Sequence, residues 1–324
     1  MSTANAVPET WKLTGDDARE TLRSCGRRTL VRDAFVRLRV ADGFSHARSL
    51  AYATSLVFVQ ATIAVVGLGS ALGQGSSDVI VRTFKAAFPG PAGELMTQAV
   101  VQAHRTGASH RWAGLTFGLV GTLVTGSTLL GQVERGLNRI YGVEQDRPTL
   151  KKYGLALLLT LTAGALTIGA FTLLAFGHSI GTSIHNQVLN RAWGIARWPV
   201  AAVLVTAATA IIFRFSPRRR QPALSWLAFG AAVSTTIWLV VTIGLGAFFS
   251  LSKSFGETYG PLAGIVALLL WAFLAAFALL FGGAIAAQLE AVRAGVREPQ
   301  DETKVEHSEP ETASQDMAIA GRKQ

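Results

Sequence analysis

Long apolar stretches alternate along this chain with short polar ones, most of them basic. No Asp, Glu, Lys or Arg occurs between Arg48 and Asp78, nor from Trp112 to Val133, Tyr153 to Asn190, Trp198 to Phe213, Gln221 to Ser252 and Thr258 to Leu289. A helix needs roughly 20 apolar residues to cross a hydrocarbon core of about 30 Å. The pattern therefore predicts six crossings, at about 49–71, 109–131, 154–176, 195–214, 224–248 and 262–286. The expected fold class is all-α, a polytopic membrane protein, because a helix satisfies its backbone polar groups without water. The fourth crossing is the marginal one, with only 16 residues between Arg197 and Arg214. Its ends call for snorkelling arginines, Trp193 and Trp198 in the head-group layer, and Pro199 in the first turn.

Charge adds an orientation. Of the 30 Lys and Arg residues, 23 fall in 1–48, 134–152, 214–220 and the tail after 289, and 7 fall in the alternate connections. Basic residues favour the cytoplasmic side, so both termini are expected there, and an even number of crossings agrees. Only 15% of the 324 residues are charged, against about 25% in globular proteins. The arginines thus mark topology rather than a nucleic-acid face, and no nucleic-acid partner is expected. The first 48 residues contain no apolar core before a cleavage site, so the first crossing is expected to act as an uncleaved insertion signal. The single cysteine, Cys25, provides no disulfide framework and reads as a structural thiol.

Three segments flank or interrupt the crossings. Residues 1–14 read as unstructured, and 16–48 as a basic amphipathic helix in which Leu22, Leu30, Phe35, Leu38 and Val40 alternate with Arg23, Arg27, Arg28, Arg32, Arg37 and Arg39. Two readings of that helix stay open: arginines on anionic lipid head groups, or a solvated lead-in. Between the first two crossings, 78–104 reads as two short helices on the outer surface, broken at Pro89, Gly90 and Pro91. The tail holds eight acidic residues counting Glu290, reads as disordered, and is assigned no chemistry. The domain plan is a cytoplasmic lead-in (1–48), a membrane domain (49–292) and a disordered cytoplasmic tail (293–324).

Chemistry is sparse. Gln60 lies near the middle of the first crossing, where an amide costs several kcal/mol unless paired. It is expected to face the bundle interior, as a packing tether or as a reader of solute. Thr116, Thr122, Thr125, Ser127, Thr128, Thr160, Thr162, Thr167, Thr172, Ser234, Thr235, Thr236 and Thr242 add hydroxyls, and Gly114, Gly118, Gly121 and Gly126 form a thin seam. Close helix packing and a water-lined cavity both account for these residues. No ionisable side chain lies deep in a crossing, which argues against a proton pump or carboxylate ion path. His104, His110, His178 and His185 are spread over two loops, and 110 residues from Arg147 to Gly256 contain no carboxylate. No metal site, cofactor or catalytic centre is expected, and the chain is not read as an enzyme.

Several short islands form a familiar set: Ala51-Tyr52-Ala53 with Ser55; Asn138-Arg139-Ile140-Tyr141 followed by Arg147-Pro148; Phe213 to Pro217; Phe229-Gly230-Ala231; Tyr259-Gly260; Trp271; and Gly282-Gly283-Ala284. Together they resemble the YihY / virulence factor BrkB family over roughly residues 30–292. The resemblance implies a bacterial inner-membrane protein with six crossings and both ends inside. It also implies an association with serum resistance or envelope integrity, with transport or lipid handling suspected. An old ribonuclease BN label on the family has no nuclease centre here to support it. The chain departs from the family at Leu56 to Val59, where a proline is usual, at Ile285, where the family carries Glu, and at Phe215, where it carries Tyr. Glu290, a turn and a half beyond Ile285, is a candidate substitute. The residues singled out are Gln60, Asn138, Arg139, Arg147, Tyr259 and Gly260. Asn138 and Arg139 would hold a phosphate or cap the second helix, and Arg147 would pin its loop. The leading expectation is transport or lipid handling, with membrane lipids and an unknown solute or lipid as partners. The alternative is a scaffold binding an envelope partner through 78–104. A homo-oligomer stays open.

Overall fold

The computed structural model describes residues 4–72, seven positions between 90 and 101, 111–182, 187–251 and 261–299. Eight helices are described: α1 (Gly15–Cys25), α2 (Arg27–Val40), α3 (Gly43–Leu72), α4 (Arg111–Ile140), α5 (Thr149–Thr182), α6 (Gln187–Phe215), α7 (Leu224–Leu251) and α8 (Pro261–Arg293). No strand occurs among the described residues. Five helices, α4 to α8, are long and apolar enough to cross a membrane. With the 30-residue α3 beside them, they make the chain a polytopic all-α membrane protein.

Each of these helices packs on its neighbours in sequence, and α8 returns to pack on α3, so the six form a ring. The most extensive contact is α3 on α4. Half of the apolar stretch of α8 is buried (50%), against 17–22% in α4 to α7, so α8 is the most enclosed of these five. At the end of the ring rich in arginine, α8 also meets α4, where Leu280 lies over Gly136 and Leu137 over Gly283. We call this the basic end. In the opposite half, aromatic pairs fill the interior: Phe58 with Trp271 at 5.7 Å between ring centroids, and Phe171 with Trp238 at 6.0 Å.

Glycine sets how close the helices come, because little hydrophobic driving force separates helix from lipid. On α4, Gly118 lies against the Ala64 backbone, Gly121 against the Gln60 side chain and Gly126 against Thr160 of α5. On α7 and α8, Gly230 and Gly282 face each other so closely that a Cβ on either would sit 2.5 Å from the other's carbonyl oxygen. The hydroxyls mostly turn inward on their own helices. Thr62, Thr122, Thr125, Ser127, Thr160, Thr167 and Thr209 donate to the carbonyl four residues back. Within the described apolar spans, Thr206 bonds across to Thr235 at 3.1 Å and Trp271 Nε1 donates across to Thr242 at 3.0 Å.

The structure corrects three expectations. Residues 16–48 do not form one helix, because Gly26, at φ +76°, separates α1 from α2 and Asp42, at φ +55°, precedes α3. Pro199 is not in a first turn: α6 starts at Gln187 and carries Pro199 in its interior, so the Ile195 carbonyl loses its helical donor. Residues 4–10 are not unstructured, since Ala4 and Val7 are buried and their N–H groups bond to the Arg139 and Tyr141 carbonyls. Of the segment 78–104, the described positions 91, 93, 94, 97, 98 and 101 are helical, and the remainder apart from Gly90 lies outside the described residues, as does the tail from 300.

The Gly230–Gly282 contact yields a stability prediction. Gly282→Leu should destabilise the protein by about 3 kcal/mol or more, the upper range for overpacking. Gly164→Ala, with open space around it, should be neutral or slightly stabilising. Thermal unfolding in detergent checks both.

Candidate functional site

At the basic end, charged side chains are buried inside protein. Glu290, near the end of α8, is 0% exposed. Its carboxylate accepts two hydrogen bonds from Arg219, at 2.7 and 3.0 Å, and two from Thr10, through the backbone N–H and the hydroxyl. The Arg219 guanidinium also donates to the Pro8 carbonyl at 2.8 Å and lies 4.7 Å above the Tyr141 ring. Arg37 of α2, equally buried, donates to Gln288 at 2.7 Å and to the Asn5 and Ile140 carbonyls at 2.9 and 3.1 Å. Gln288 in turn donates to the Arg297 carbonyl.

Residues 4–10 thus form a strap across this end. One edge pairs with the last turn of α4 through Ala4 and Val7, and the other side reaches the segment after α8 through Asn5, bonded to the Pro299 and Glu298 carbonyls. Gly142, at φ +76°, lets the strap approach, because a Cβ there would collide with Ala6. Burial pulls the Arg37 pKa down to about 10, against the opposing effect of Tyr141, so it remains a cation at neutral pH. Burial, reinforced by the Glu290 charge, pushes the Tyr141 hydroxyl well above its usual range, so it stays neutral.

A second cluster fixes the connections from α4 to α5 and from α6 to α7. Asn138, fully buried, donates to Asp146 at 2.9 Å and accepts from the Arg218 N–H at 2.8 Å. Arg147 donates to the carbonyls of Phe215, Ser216 and Pro217 and pairs with buried Glu134 at 3.4 Å. It therefore satisfies carbonyls that the end of α6 leaves without helical donors. Arg139, in the last turn of α4, donates to the Val143 and Glu144 carbonyls of the connection that follows. Burial opposes ionisation of Asp146, but bonds from Asn138, Lys152 and Arg135 outweigh it and hold the carboxyl below its ordinary value.

The candidate residues therefore separate. Asn138, Arg139 and Arg147 come together at the basic end, whereas Gln60 sits on α3 against Gly121. Tyr259 and Gly260 lie outside the described residues. Sequence reasoning passed over Arg37, Tyr141, Arg219, Gln221 and Gln288 as site residues, and named Glu290 as a substitute for the acid missing at Ile285. The available signal was Gln288 and Glu290 continuing α8 beyond a long charge-free run, flanked by the fully buried Ala287, Leu289 and Ala291. At Ile285, where the resemblance implies an acid, the side chain is packed in the apolar core.

These features define a multi-pass helical membrane protein closed at one end by a polar junction. The chain belongs to the virulence factor BrkB family, whose model matches residues 34–307. It is similar to a ribonuclease-like protein, YfkH, of Bacillus subtilis (strain 168), 24% identical over 266 residues covering 81% of this chain and 95% of the relative. It is also similar to UPF0761 membrane proteins of Azoarcus sp. (strain BH72), 29% identical over 76% of this chain and 59% of the relative, and of Rhodospirillum centenum, 28% identical over 87% and 63%. The chain thus spans about three fifths of these last two relatives' length. No solved structure matches it.

The junction gives a pH prediction through His46, at the start of α3. Burial lowers its pKa below 6.5, with Asp42 opposing and Arg135 and Arg139 reinforcing. The unfolded chain then takes up a proton near pH 6.5 that the folded protein refuses, so stability is retained above that pH and falls below it. Unfolding temperature should drop between pH 7 and 5.5, and His46→Gln should flatten part of that drop.

Proposed function

We propose that the chain is a non-enzymatic bacterial inner-membrane protein that moves or repositions a lipid or an amphipathic solute, with its basic end in the cytoplasm. α3 is the sixth crossing in this reading, and the basic lead-in and the tail lie inside the cell. One observation carries the reading: a ring of six helices packed in sequence, sealed by polar locks at one end and lined by aromatic pairs toward the other. A ring locked by polar groups at one end and held by uncharged aromatic contacts in the other half suits alternating access better than a uniformly locked scaffold.

The lining suggests the cargo. Hydroxyls bonded to their own backbone offer little to a small ion, and the charged groups gather at the basic end. A molecule with an apolar body fits such a lining. Gln60, beside Gly121 on the α3–α4 face, supplies an amide to orient it.

Vesicles reconstituted with the protein and a head-group-labelled phospholipid test this. The intact protein should speed exchange of label between leaflets, and Gln60→Leu should slow it several-fold. Exchange no faster than in protein-free vesicles would overturn the reading in favour of a scaffold. Arg218→Cys in a Cys25→Ser background should resist an impermeant thiol reagent in intact cells, and labelling there would reverse the orientation.

A further inference from the structure

We infer that Arg37, Arg219, Tyr141 and Gln221 form a buried binding site for a phosphate-bearing anion beneath the strap of residues 4–10. Arg37 and Tyr141 are at most 1% exposed and Gln221 2%, and the Arg219 side chain is 3% exposed. Arg37 Nη2 and Arg219 Nε have no hydrogen-bond partner among the described residues, and the Tyr141 hydroxyl and the Gln221 amide meet only each other. They are mutual neighbours. Arg219 lies over the Tyr141 ring, the Tyr141 hydroxyl lies beside the Gln221 amide, and the charges of Arg219 and Glu290 bear on Arg37.

Orphaned polar atoms in a protein interior mark a water or an ion, and charge decides between them here. Two guanidiniums and the single Glu290 carboxylate leave one uncompensated positive charge, which burial penalises heavily. Water would satisfy the hydrogen bonds and leave that charge. A singly charged phosphate oxyanion balances the charge and accepts from the guanidiniums and the Gln221 amide N–H, with the Gln221 carbonyl left to the Tyr141 hydroxyl, and guanidinium forks match its geometry. The strap already supplies neutral oxygens to the same two arginines, from the Asn5 and Pro8 carbonyls. In the strapped state these oxygens partly stand in for the anion. Entry of the anion therefore requires the strap to lift from Arg139 and Tyr141.

This site is distinct from the ring interior and stands whether or not the ring transports. Its source of phosphate is either free inorganic phosphate or a lipid head group, and the test separates them. Full-length protein in detergent is titrated with inorganic phosphate at constant ionic strength against chloride. In parallel, its unfolding temperature is compared in nanodiscs of phosphatidylglycerol and of phosphatidylcholine. Stabilisation by inorganic phosphate, or by phosphatidylglycerol alone, is expected. In either case the response should weaken about tenfold in Tyr141→Phe/Gln221→Leu, the loss of roughly one hydrogen bond to an anion. That double variant removes orphaned groups and should fold at least as well as the parent. Arg37→Gln should abolish the response, provided that it folds. No response to either phosphate source, or one that the double variant leaves unchanged, would overturn the site.

Discussion

Glu290 is fully buried, out of reach of bulk water. A carboxylate in that position must be neutralised and hydrogen-bonded or it unfolds its surroundings. Arg219, from the connection between α6 and α7, and Thr10, from the strap, do both. The ion pair therefore ties together three parts of the chain that apolar packing alone would hold weakly, since lipid competes with helix for every apolar face. The register of α8 in the ring follows from it, and so does the course of the N-terminal segment. The arginines around it also close helix ends: Arg37 takes the Ile140 carbonyl at the end of α4, and Arg147 the Phe215 carbonyl at the end of α6.

The short family islands acquire a physical meaning when their contacts are traced. Phe229-Gly230-Ala231 and Gly282-Gly283-Ala284 are two sides of one interface, where the backbones of α7 and α8 meet. Asn138, Arg147 and the Phe213–Pro217 turn are likewise one unit, because Arg147 reads the carbonyls of that turn and Asn138 receives the Arg218 N–H. Signatures far apart in sequence are thus pairs of complementary surfaces.

The apolar architecture was legible in the sequence because hydrocarbon forbids charge: the runs free of Asp, Glu, Lys and Arg mark five described spans directly. Helix ends were less legible. α4 continues to Ile140 and α6 begins at Gln187, since protein partners and head groups, rather than hydropathy, decide how far a helix extends. The strap was invisible for a different reason. Its few residues carry no periodicity, and their partners, Tyr141, Arg219 and Glu290, lie far along the chain. Arg37 illustrates the same limit, as its spacing is that of its exposed neighbours on α2, yet it faces Gln288 and the α4 terminus.

The central claim is that the Arg219–Glu290 pair locks the basic end. A double-mutant cycle measures this directly, using Arg219→Met, Glu290→Leu and the combined variant, with unfolding free energies in detergent. Each single change should cost about 3–5 kcal/mol, because it strands a buried charge, and the double change should cost clearly less than their sum. Additive losses, with coupling near zero, would show that the two side chains do not depend on each other and would contradict the account.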